Sequence, residues 1–430
     1  MRFSLDLLPA RKGDCLLLHF GTKAKPGLVM IDGGPKTVYA EHLKPRLLDI
    51  RKLRGLGPQQ PLPVDLLMVS HVDDDHIQGI LDLTRELRAA GAGQAPLVRV
   101  AGIWHNSFDD LLGSTPKELT ASVASQFGAA SLAGGLPDDA AVDLGADASD
   151  ADNEIAHATL SVLASIEQGY RLRGDAEALG WQRNPYFDGK LILADSKPRV
   201  IRDGLSFTAV GPMLPELKEL QKKHDEWVRK QQEKKTTPES SLAAYVDKSV
   251  PNLSSIVMLA ECGGKRILLT GDARGDKVME GLEADGLLKK GGKIHVDILK
   301  VPHHGSSNNV DQDFYDRISA DHYVFSGDGE HGNPERESLE MLFKARSEAP
   351  FTIHFTYPIA EIDAARKAEW NKQQTAETRR KQKKKRPNWS PPQHGLAAFF
   401  ATHKLAQGQK IVVVGDQAAH VIDLLDPLAE

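Results

Sequence analysis

Two histidines and three aspartates crowd into six positions at His71, Asp73, Asp74, Asp75 and His76. Imidazole and carboxylate groups bind divalent cations, and carboxylates this close together repel one another unless a cation neutralises them. The cluster follows Val64-Asp65-Leu66-Leu67-Met68-Val69, a short apolar run with β-branched ends that reads as a buried strand. After it, Ile77, Ile80, Leu81 and Leu83 recur near helical spacing, with Arg85, Glu86 and Arg88 on the other side. The charged residues therefore belong on a strand-to-helix turn, where α/β proteins place ligands. A solvated turn can also be rich in aspartate, but it rarely follows a buried strand with histidine at both ends of the acidic run.

His71-x-Asp73-x-Asp75-His76 resembles the metal motif of metallo-β-lactamase-fold hydrolases, His-x-His-x-Asp-His, with aspartate in place of the second histidine. Followed by Ile77-Gln78-Gly79, the variant is similar to the soluble hydrolase domain of ComEC-type DNA-uptake proteins and their stand-alone relatives. Three more stretches extend the resemblance. The first is a strand, a Gly13-Asp14 turn, a strand and then Ile31-Asp32-Gly33-Gly34; Asp32 there either backs the metals or caps its own turn. The second, Leu268-Leu269-Thr270-Gly271-Asp272, implies that Asp272 bridges two metals with its two oxygens. The third, Pro302-His303-His304-Gly305-Ser306-Ser307-Asn308, implies one metal-binding histidine and one facing substrate. His304 is expected as the ligand, His303 as the catalytic acid or phosphate-binding partner, and Ser306 as part of an open site.

The resemblance thus implies metal ligands His71, Asp73, Asp75, His76, Asp272 and His304 around two divalent ions, with Asp75 and His303 catalytic. It further suggests His105 at a strand end, Asn252 in an Asn-x-x-Ser-like segment and His331 in a late glycine-rich loop as substrate-side residues. Asp73 in place of an imidazole hardens the ligand set toward manganese or magnesium, while the affinity order still favours zinc. The implied chemistry is hydrolysis by metal-activated hydroxide, with a phosphodiester or nucleic acid as substrate. The same metals could open a lactone, thioester or β-lactam. A different reading is a regulatory or defence-associated module that acts with a protein partner.

A scaffold that gathers residues from position 71 to position 304 must be rich in strands. Strands are expected at 3–8, 15–20, 28–31, 99–104 and 205–210, then in a hairpin through Gly263-Gly264, and at 295–301, 322–326 and 351–355; 396–401, 410–414 and 420–424 close the chain as strands. The fold implied by the resemblance is α/β: four αββα layers, two packed mixed sheets flanked by helices. Residues 1–345 form the hydrolase domain, interrupted by a helical insertion at 108–193 that is either a lid or a packing subdomain. Residues 214–235 read as a long charged surface helix. Residues 346–430 form an extension packed on the core, with a basic run at 379–386 that is either a nucleic-acid contact or a solvated helix end.

Composition bounds the alternatives. Across 430 residues, 40% hydrophobic and 26% charged content is that of a globular protein, and a net charge of −5 argues against electrostatic coating of nucleic acid. No apolar run approaches the ~20 residues a membrane helix needs. The amino terminus lacks the apolar core of a secretory signal, and Cys15 and Cys262 lie singly in apolar runs. A reducing, cytoplasmic setting is the expectation.

Overall fold

The computed structural model describes residues 1–90, 95–106, 168–215, 254–379, 385–414 and 419–428. Its frame is two mixed sheets. The first runs β17 (Val421–Asp423), β1 (Arg2–Leu7), β2 (Leu16–Gly21), β3 (Pro26–Ile31), β5 (Leu66–Met68), β7 (Gly102–Trp104) and β8 (Gln182–Arg183). The second runs β16 (Gln409–Val413), β15 (Phe351–Phe355), β14 (Ile318–Phe325), β13 (Ile294–Lys300), β12 (Lys265–Leu269), β11 (Val257–Cys262), β10 (Leu205–Gly211) and β9 (Asp195–Arg202). β3, β5, β7 and β8 are parallel, as are β12 to β16.

The apolar content of these strands follows from burial on both faces. Phe3, Leu5, Leu18, Val29 and Met68 of the first sheet share one core with Phe207, Met258, Ile267, Ile298 and Val324 of the second. Alternate residues point the other way. Leu17, Met30 and Leu67 pack with Leu47 and Ile50 of α1 (Lys44–Leu53) and Ile77, Ile80 and Leu81 of α2 (Asp74–Ala89). Leu268, Val296 and Ile353 pack with Leu282 of α3 (Gly275–Ala284) and Leu339 and Leu342 of α4 (Arg336–Ala345).

Several expected elements differ. The run 64–69 is two strands, because Asp65 leaves the ladder: its N–H donates to the Leu28 carbonyl and its carboxylate accepts the Leu28 N–H and binds Arg202. Val64 instead ends β4 (Leu62–Val64), which pairs with β6 (Val98–Val100), so the run 99–104 is split as well. Asp195–Arg202, not foreseen, is the edge strand β9; none of its residues is buried, and its four charged residues and Pro198 suit an edge. Leu396–Thr402 is a helix (α6), not a strand, because the Asp363 carboxylate on α5 (Ile359–Arg379) accepts the N–H groups of Leu396 and Ala397 and caps its start.

Of the expected insertion, 108–167 lie outside the described residues. The remainder is helical at 168–178, buries Leu172 and Trp181 against the first sheet's outer core and then contributes β8. The charged helix at 214–235 falls almost wholly outside the described residues, as do 380–384 of the basic run. Beyond residue 345, β15 and β16 extend the second sheet and β17 pairs with β1, so the carboxyl-terminal segment is woven into both sheets.

Candidate metal centre

The carboxyl ends of β3 and β5 in one sheet meet those of β12, β13 and β14 in the other. They deliver Asp32, the 70–76 loop, Asp272, His303-His304 and Ser326 to one place. Small contacts fix the junction. Ile256 N–H donates to the Ser70 carbonyl at 2.8 Å, bridging the two sheets' loops. A Cβ at Gly13 would lie 1.7 Å from the Asp75 carbonyl oxygen, and one at Gly79 would lie 1.9 Å from that of Gly33, so the motif loop is seated on backbone that only glycine permits. Asp32, His303 and His304 have φ of 56°, 47° and 54°. Left-handed backbone at non-glycine residues is strained by about 1–3 kcal/mol each and gathers at functional sites.

Asp272 is the hub. Its Oδ1 lies 3.4 Å from His76 Nε2 and 3.4 Å from His304 Nε2. Its Oδ2 lies 3.9 Å from His71 Nε2 and 3.6 Å from His303 Nε2. Asp75 approaches His76 Nε2 at 4.0 Å, and Asp73 approaches His71 Nε2 at 3.7 Å. The ligand atoms of His71, Asp75 and His76, and those of His76, Asp272 and His304, lie close enough to share a cation. His71 Nε2, His76 Nε2, His304 Nε2 and Asp272 Oδ1 are buried and make no hydrogen bond. Native interiors rarely leave polar atoms so, because each costs about 1–3 kcal/mol unpaired. The 3.4 Å spacing matches the ~3.4 Å edge of a tetrahedron with ~2.05 Å metal–ligand bonds. The donor set therefore fits a metal ion.

The far side of each ring is held. His76 Nδ1 is 2.9 Å from Asp32 Oδ2, and Asp32 also accepts the Ser70 N–H and hydroxyl, both at 2.7 Å. His71 Nδ1 lies 3.1 Å from that hydroxyl. His304 Nδ1 is 2.9 Å from Ser326 Oγ, which donates to Asp14 Oδ1 at 2.6 Å, and Lys300 pairs with Asp14 Oδ2 at 2.7 Å. Such outer contacts fix ring orientation and raise ligand basicity. Asp32 thus backs the site rather than merely capping its turn. Asp14, Lys300, Ser70 and Ser326 were not anticipated as site residues. One signal was visible: a lysine inside the apolar strand 295–301 needs a buried partner.

The electrostatics describe an anion-rich pocket that gathers positive charge. Burial would lower His304, but Asp272 and Asp14 raise it to about 9. Burial is likewise overcome at His76, which Asp272 and Asp32 hold well above the usual imidazole range. Asp272 resists the upward pull of burial and is held far below the carboxylate range by His304, His76 and His303. Asp14 is kept low against burial by Lys300 and His304. His71, buried beside His76, falls to about 3. A cation entering such a site displaces protons from its imidazoles.

The remaining expected residues are less central. His105 is buried at the end of β7, where its N–H donates to Asn184 Oδ1, and a Cβ at Gly169 would touch both it and Val72. Ser306 is buried and closes the turn through its backbone to the His303 carbonyl. His331 is exposed and belongs to none of the groups of described residues that could share a cation. Asn252 lies outside the described residues.

No known protein-family model matches this chain. Part of it is 33% identical over 103 residues to microtubule-associated protein 1A of Rattus norvegicus, covering 22% of this chain and 4% of that protein. The Mus musculus protein of the same name is 33% identical over 85 residues, and the Homo sapiens protein 32% identical over 85. The chain spans only a few per cent of these relatives' length, 4% of the rat protein and 3% of the mouse and human proteins. These matches assign no family and no activity.

Proposed function

We propose that this protein is a metal-dependent hydrolase with a binuclear centre, built on the four-layer metallo-β-lactamase fold and acting on a phosphodiester. The observation that carries this reading is the division of Asp272, whose two oxygens face two different sets of imidazoles. His76, His304 and Asp75 would hold one cation with Oδ1; His71 and Asp73 would hold the other with Oδ2. Charge supports the same number. Once metal has displaced the imidazole protons, the carboxylates Asp14, Asp32, Asp73, Asp75 and Asp272 stand against Lys300 as the positive side chain of the site. Four negative charges remain, the charge of two divalent ions, and buried charge left uncompensated is strongly destabilising.

Such cations supply an activated water and an electrostatic hold on anionic substrate oxygens. The chain's own contribution is orientation: Asp32, Ser70, Ser326 and Asp14 lock the rings, and the strained 303–304 turn aims two imidazoles from adjacent positions at opposite oxygens of one carboxylate. His303 and Asp73 are the more open members, with side chains 30% and 29% exposed, so substrate reaches the Oδ2 side. The hard ligand set suits manganese or zinc, with magnesium a further candidate. The anionic substrate class rests on the resemblance of the 71–79 motif to DNA-processing hydrolases.

The test is turnover of bis-p-nitrophenyl phosphate beside a lactone and a thioester, with added Mn²⁺ or Zn²⁺. Phosphodiester cleavage that disappears with EDTA and in Asp272→Ala is expected. An Asp272→Ala protein as fast as wild type contradicts the proposed bridge, and cleavage of the carboxylic substrates alone contradicts the substrate class.

A further inference from the structure

We infer that His303 is itself a ligand of the cation on the Oδ2 side of Asp272, and that Asn309 is the positioning residue that makes it one. The inference rests on the binuclear reading above and replaces the acid role that the sequence suggests for His303.

The polarity of two hydrogen bonds fixes the orientation of the His303 ring. Asn309 Nδ2 lies 3.3 Å from the Asp272 backbone carbonyl oxygen. A carbonyl only accepts, so the amide nitrogen must face it. Asn309 Oδ1 then faces His303 Nδ1, at 2.8 Å. That oxygen also only accepts, so Nδ1 carries the proton, and in the neutral ring Nε2 carries the lone pair. This Nε2 points at Asp272 Oδ2 from 3.6 Å. Two acceptors facing each other repel unless positive charge lies between them, as a second proton on the ring or as a metal ion, and the other ligand atoms gathered at the same oxygen favour the ion. The same Oδ2 faces His71 Nε2 at 3.9 Å, and Asp73 faces that nitrogen at 3.7 Å. With His303 included, the Oδ2 cation gains a second imidazole. The sequence had left it short, since the motif carries Asp73 in place of a histidine.

Asn309 is well placed to impose this. Its carbonyl accepts the Gly275 N–H at 2.7 Å at the start of α3, and its N–H donates to the Ser306 carbonyl at 3.1 Å. His303 N–H in turn donates to the Gly271 carbonyl at 3.1 Å. One asparagine therefore ties together the loop bearing Asp272, the start of α3 and the turn bearing His303. It also fixes a ring that is otherwise the most exposed of the four imidazoles.

The experiment is calorimetric titration of EDTA-stripped full-length protein with Mn²⁺, read beside the electron paramagnetic resonance of the loaded protein. Wild type should bind two ions and give a spin-coupled spectrum. His303→Gln should keep the Oδ1-side ion and lose or weaken the other at least ~10-fold, leaving an uncoupled six-line signal. Asn309→Leu should weaken the same ion by about 10–100-fold, as expected for an outer contact to a ligand, whereas Asn309→Asp keeps an acceptor on Nδ1, loses the donor to the Asp272 carbonyl and should weaken it less than Asn309→Leu does. Retention of the first ion and an unchanged circular dichroism spectrum shows that each variant folds. If wild type and His303→Gln both bind two ions equally well, this inference is overturned and the binuclear reading stands. If wild type binds none, the binuclear reading fails and takes this inference with it.

Discussion

The two sides of Asp272 are built differently. On the Oδ1 side, His76 and His304 are buried, and a carboxylate backs each ring: Asp32 directly at His76, and Asp14 at His304 through the Ser326 hydroxyl, with Lys300 behind it. On the Oδ2 side, only His71 is buried; Asp73 and His303 are partly exposed, and the backing groups are a neutral hydroxyl and a neutral amide. Anionic backing raises an imidazole's basicity as a ligand, and burial excludes competing water. On the proposed binuclear reading, the closed half would hold its cation tightly and the open half would let a cation and a substrate oxygen exchange.

The largest effect should separate the halves from their shared carboxylate. Asp272→Ala should reduce bound metal from two ions per chain to near zero, whereas Asp73→Ala should remove only the Oδ2-side ion. Elemental analysis after gel filtration checks both, and equal losses would erase the distinction between the halves. Next comes Asp14→Asn, which strands the buried Lys300 ammonium. Breaking a buried pair in this way should destabilise the fold by about 3–5 kcal/mol in urea unfolding, and Lys300→Met should restore part of that loss in the double variant. No comparable penalty is expected for Asp73→Asn on the open side.

A subtler effect is the pH dependence of the metal-stripped protein. His304 is raised to about 9 in the folded state, so it contributes stability that is complete below its unfolded value near 6.5 and is lost as pH climbs through 9. His76, also raised, acts in the same direction. His71 and His354, both lowered to about 3, oppose folding as pH drops below 6.5. Thermal melts in EDTA should therefore peak near pH 6.5. With Mn²⁺ present the alkaline decline should vanish, because metal takes the place of the protons. An alkaline decline of equal size with and without Mn²⁺ would mean that the closed half does not hold the ion. The smallest effect is expected from replacing the basic residues of 379–386 with glutamine, which should weaken binding to long DNA modestly and flatten its salt dependence. An unchanged salt titration would leave that run as solvated surface.

The division between what could be read in the sequence and what could not follows the same line. His71, Asp73, Asp75 and His76 are close in sequence, so one local pattern exposes them. Asp272 and His304 stand at strand ends with marked flanking residues. The supporting groups were hidden because their types are ordinary for their local settings. Asp14 reads as a turn residue, Ser326 as a strand end and Asn309 as loop, and only the joining of the two sheets brings them behind the rings. The secondary-structure errors have a similar cause. Nothing local in Leu396–Thr402 announces a helix whose cap, Asp363, lies 33 residues earlier. The split of 64–69 depends on Asp65 finding Leu28 and Arg202 across the fold.

The most direct measurement is anomalous scattering at the manganese or zinc edge from crystals soaked in that metal. Two peaks are predicted on opposite sides of the Asp272 carboxylate, one among His76, His304 and Asp75 and one beside His71 and Asp73. A map with no peak at Asp272, or a single peak touching only one of its oxygens under saturating metal, would contradict the account.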